Sequence, residues 1–130
     1  MKTIQCWRLK TEIANEANST EYWAKKNARH KQQKISIKKA FLIDKPIMKP
    51  PFTCILTRIA PRQLDFRDNL PMSMKWVFDA ICDWFYPGKA AGRADDTKEI
   101  TCEYKQEKGR VREYGLRIEI IKESNESSTN

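Results

Sequence analysis

Apolar residues recur along this chain with two different periods, and the switches between them predict six elements. Residues 3–9, TIQCWRL, carry Ile4, Cys6, Trp7 and Leu9 in an imperfect alternation, which predicts an opening strand. From Asn18 the pattern changes. Asn18 and Glu21 have the spacing of a capping box, and the long stretch after them has no Gly or Pro, so a helix is expected until the prolines at 46, 50 and 51. Residues 51–60, PFTCILTRIA, are rich in β-branched and aromatic side chains and lie between Pro51 and Pro61, which predicts a central strand. Met74, Val77, Phe78, Ile81 and then Trp84 or Phe85 fall at helical spacing, a stripe that must pack on a sheet. Pro71 suits the first turn of that helix, where no amide hydrogen is needed. Pro87 and Gly88 end it. Ile100, Cys102 and Tyr104 then alternate on one arm and Tyr114, Leu116, Ile118 and Ile120 on another, with Lys108, Gly109 and Arg110 as the turn of an expected hairpin. The order β-α-β-α-β-β predicts an α+β fold, a mixed sheet carrying two main helices.

Composition narrows the setting. A chain of 130 residues suits one domain, expected over 1–122, while the polar tail 123–130, ESNESSTN, has nothing to bury and is expected to be disordered. No apolar run is long enough to span a bilayer and the first residues lack the apolar stretch of a signal peptide, so a cytoplasmic protein away from membranes is expected. The four cysteines, Cys6, Cys54, Cys82 and Cys102, are far apart, with only His30 as a histidine. That spacing argues against zinc and for small buried side chains.

Charge changes the picture more. Residues 1–50 hold 12 Lys and Arg against 4 Asp and Glu, whereas residues 51–130 hold 13 of each, so the whole excess of +8 lies in the first part. Clustered cations gain affinity for polyanions by releasing counterions from phosphates. Most of them fall on the first helix: Lys25, Lys26, Arg29, Lys31, Lys34, Lys38 and Lys39. A solvated helix face and a surface turned toward nucleic acid both fit this pattern.

Acid gathers elsewhere. Asp65 and Asp68 follow the second strand, and Asp95 and Asp96 precede the third. If those strand ends are neighbours, the carboxylates meet, and such a cluster stays ionised only around a cation; a hard ion such as Mg²⁺ suits oxygen ligands. Each piece alone also reads as a helix cap or an ordinary loop. Lys75, seven residues beyond Asp68, is placed to steady charge on a phosphate, or is an exposed helix lysine.

Taken in order, "RDNL", "KWVFDAI", "DDTKEI" and the C-terminal pair of strands resemble the RusA-type crossover-junction endodeoxyribonucleases over about residues 52–121. The resemblance implies a RusA-like fold and a homodimeric, Mg²⁺-dependent nuclease that binds four-way (Holliday) DNA junctions and nicks two opposing strands. It carries the metal-binding role to Asp68 and Asp96, with Asp95 adjacent, and the family's lysine to Lys75. The family's first aspartate stands two residues before its partner; that position here is Phe66, and Asp65 is the nearest acid. The expected site is therefore Asp68, Asp96 and Lys75 as catalytic residues, and Asp65, Asp68, Asp95 and Asp96 as metal ligands. Lys25, Lys26, Arg29, Lys31, Lys34, Lys38 and Arg67 are the expected DNA contacts. The alternative is a non-catalytic nucleic-acid-binding protein of the same fold.

Overall fold

A computed structural model describes residues 2–14, 23–64, 69–87 and 99–123. The elements are β1 (Lys2–Leu9), α1 (Trp23–Ile43), β2 (Phe52–Ala60), α2 (Asn69–Ser73), α3 (Lys75–Phe85), β3 (Ile100–Lys108) and β4 (Gly115–Glu123). The expected α+β class with a mixed sheet is what the chain forms. The capping pair Asn18 and Glu21 lies outside the described residues.

Four strands make one sheet in the order β1-β4-β2-β3. β4 is antiparallel to both β1 and β2, and β2 is parallel to β3. The expected hairpin is thus corrected: β3 and β4 run in opposite directions but do not pair, because β2 lies between them. The connection 109–114 passes over the end of β2, where the Gly109 amide donates to the Ala60 carbonyl at 2.9 Å. A Cβ on Gly109 would meet the Glu113 carbonyl oxygen at 2.9 Å, so this close crossing excludes a side chain. Apart from Tyr114, which precedes β4 and is exposed, alternation in β3 and β4 specified faces correctly but could not specify partners, since a strand presents the same period to any neighbour.

The pairing registers align Trp7, Ile118, Leu56 and Tyr104 in one row across all four strands, all on the sheet's inner face. Leu9, Leu116, Cys54 and Ile120 belong to the same face, which α1 and α3 cover with Ile37, Phe41, Val77, Phe78 and Ile81. β2 is the most enclosed strand, with eight of its nine residues buried, as expected for β-branched residues with a neighbour on each side. In β1 the buried residues are Trp7 and Leu9, whereas Ile4 is 54% exposed. Cys6 shares the outward parity of Ile4, so it is an exposed thiol rather than the expected core residue, while Cys54 and Cys82 are buried. A hydrogen bond to Cys102, directly opposite on β3, and burial hold the Cys54 thiol well above its ordinary range, which keeps it protonated and unreactive.

The second predicted helix is divided. Met74 separates α2 from α3, yet its amide still reaches back to the Leu70 and Pro71 carbonyls, both at 3.2 Å, so the chain tightens there without leaving its helical course. Pro71 sits in the first turn of α2 as expected. Leu70, Met74, Val77, Ile81 and Cys82, each fully buried, extend one stripe across the tightened turn. No helix among the described residues is long and apolar enough to cross a membrane.

Candidate nucleic-acid interface

α1 is a mostly polar helix whose buried residues are Gln33, Ile37 and Phe41, a narrow stripe at four-residue spacing. Successive residues turn by about 100°, so the cations fall into two groups on either side of that stripe. Lys31, Lys34 and Lys38 lie on one flank. Lys25, Arg29 and Lys39 lie on the other, in a row completed by Gln32 and Ser36. Lys26 is half-buried beside the stripe. The expected DNA contacts on α1 therefore do not form one surface. They border two.

The flank of Lys31, Lys34 and Lys38 is the one nearer α3. His30 stacks on Trp76 with ring centroids 3.6 Å apart and planes 10° from parallel, and Phe41 meets the rings of Trp84 and Phe85 at 5.5 and 6.3 Å. These contacts clamp the cationic helix to the helix that begins with Lys75. Lys75 itself is exposed, next to the stacked Trp76.

The opposite flank faces the residues that continue β1. Gln33 Nε2 donates to the Glu12 carbonyl at 3.2 Å, and Arg58 Nε donates to the Ile13 carbonyl at 2.7 Å. Arg58 also bonds the Arg62 carbonyl, so this buried side chain of β2 holds both the segment after β1 and the turn after β2. Burial lowers the Arg58 pKa from its ordinary value, the cost of seating a guanidinium there. Between α1 and residues 9–12 this bracing leaves a groove of about 610 Å³, lined by Lys10, Lys25, Arg29 and Lys39 with Glu12 as the one carboxylate among the described residues. Lys10 and Arg58 escaped the sequence reading. Lys10 lies outside the cationic helix, and a lone arginine in an apolar strand gives no sign of what it braces.

Of the acidic residues, Asp65, Asp68, Asp95 and Asp96 all lie outside the described residues, as does Arg67. The strands beside them are described, and they correct the expected route to a cluster. β2 and β3 are parallel, with Phe52 opposite Ile100 and Ala60 opposite Lys108. The end of β2, which leads to Asp65, and the start of β3, which follows Asp96, are therefore at opposite ends of the sheet. Nine-residue strands span about 27 Å at roughly 3.3 Å per residue. Gln106 bonds both the amide and the carbonyl of Leu64, which holds the chain after β2 beside β3, and Tyr86 after α3 bonds Glu99 at 2.8 Å before β3. Among the described residues no group of three or more His, Cys, Asp or Glu could hold a metal ion. Neither a protein-family model nor a curated protein matches the chain.

Proposed function

We propose that the chain is a Mg²⁺-dependent endodeoxyribonuclease of the RusA type, acting as a homodimer on four-way DNA junctions. The observation that carries this reading is the stack of His30 on Trp76, which fixes the cationic helix beside the helix whose first residue is Lys75, the position matching the family's lysine. A phosphodiester drawn in by α1 would then pass an exposed ammonium able to stabilise negative charge on the phosphate as a strand breaks. Asp68 and Asp96, with Asp65 and Asp95 beside them in sequence, supply the oxygen donors that suit a hard divalent ion. When bound, such an ion supplies Lewis acidity to the phosphoryl oxygens and a nucleophile at neutral pH. Phosphate contacts carry no base information, so a preference for junctions would rest on the shape of the DNA. A two-fold dimer suits a junction with near two-fold symmetry.

The test is cleavage of a synthetic four-way junction with Mg²⁺, titrated with EDTA. Replacing Asp68→Asn and Asp96→Asn should abolish turnover while junction binding persists. The opposite ends of the sheet reached by β2 and β3 favour a second reading, a non-catalytic nucleic-acid-binding protein. On that reading the unmodified chain binds junctions and never cuts them.

A further inference from the structure

The groove lies on the flank of α1 away from α3 and Lys75, and its construction is specific. One wall is the helical row Lys25, Arg29, Gln32, Ser36 and Lys39; the other is the segment carrying Lys10 and Glu12. The groove is braced from below, since the Gln33 side chain, fully buried, ties α1 to the Glu12 carbonyl. That bond also fixes the orientation of the amide, with Nε2 donating. Gln33 Oε1 is then a buried acceptor without a hydrogen-bond partner among the described residues.

We propose that this groove is a channel for one strand of nucleic acid, held through successive phosphates. The inference rests on the reading of the chain as a nucleic-acid-binding protein, and not on its cutting anything. Three features select this ligand. Cations on both walls suit a polyanion that enters between them. The volume, about 610 Å³, is that of a site for a small molecule or a stretch of single strand. Lys25 and Lys39 are fourteen positions apart, about 21 Å along the helix, which exceeds the reach of one phosphate group and fits a chain of them. A junction-binding protein with such a channel would favour DNA in which one arm is unpaired.

The test is fluorescence anisotropy in EDTA, where no metal-dependent cleavage occurs, with a labelled oligothymidylate, the corresponding duplex, and inorganic triphosphate as competitor. The oligothymidylate should bind at least about tenfold more tightly than the duplex. Lys25→Gln with Lys39→Gln should lower the slope of log affinity against log salt by about 1.4, two single-strand phosphate contacts. Lys105→Gln with Lys108→Gln, on β3, should leave that slope unchanged. Equal binding of strand and duplex, an equal loss from Lys105→Gln with Lys108→Gln, or displacement of the strand by triphosphate at matched charge would each overturn the channel. A chain that binds the strand through Lys25 and Lys39 but leaves junctions uncut keeps this inference and loses the nuclease. A chain that cuts junctions but prefers duplex does the reverse.

Discussion

α1 and α3 cover the same face of the sheet, but they are held differently. α3 buries Val77, Phe78, Ile81 and Cys82 within eleven residues, so more than a third of it is core. α1 buries three of twenty-one, and none of its first ten. The N-terminal half of α1 is held by the stack of His30 on Trp76 and, just beyond it, by the strap from Gln33 to Glu12. In α3 the residue types answer to packing. In the first half of α1 no residue is buried, so the residue types there are set less by the core.

Four variants test this contrast. Phe41→Ala should have the largest effect, about 4 kcal/mol of lost stability read from a denaturant midpoint, because it removes the last large anchor of α1. The amides of α1 should then exchange by local opening while those of α3 stay protected; slow exchange along α1 in this variant would break the contrast. Ile81→Ala should cost about 3 kcal/mol, with protection in α3 lost only through global unfolding, since Val77, Phe78 and Cys82 keep the helix docked. His30→Ala should cost about 1 kcal/mol, the worth of one aromatic pair, and hasten exchange at residues 23–32 about fivefold. Lys25→Gln with Lys39→Gln should move stability by less than about 0.5 kcal/mol, although the same pair is expected to weaken strand binding.

The contrast also marks what the chain's pattern could reveal. α3 and its stripe were legible because burial writes its period into the residues. The existence and faces of the strands were legible for the same reason, except in β1, where Ile4 and Cys6 imitate core residues on the outward face. Strand partners were not legible. Nothing in the alternation of Ile100, Cys102 and Tyr104 distinguishes a parallel place beside β2 from a hairpin with β4. That ambiguity carried into the site: the end of β2 and the start of β3 lie at opposite ends of the sheet, while Asp65 and Asp96 themselves lie outside the described residues. The cationic helix was evident from composition, but its division into two flanks emerged only once Gln33, Ile37 and Phe41 were known to face inward. The groove was invisible to any local reading. Its second wall comes from residues about fifteen positions before the first, brought there by Gln33 and by Arg58 from a third element.

Among the described residues β4 is the one neighbour of β1 in the sheet and also seals one edge of β2, yet the other described elements precede it along the chain. During synthesis the ribosome therefore delivers the joining piece after the other described elements. Until Gly115–Glu123 emerges, β1 has nothing to zip against and β2 offers a raw apolar border to any passing strand. Its slow step should be this late insertion between two waiting partners, which places the chain among folders governed by long-range closure rather than by local helix formation.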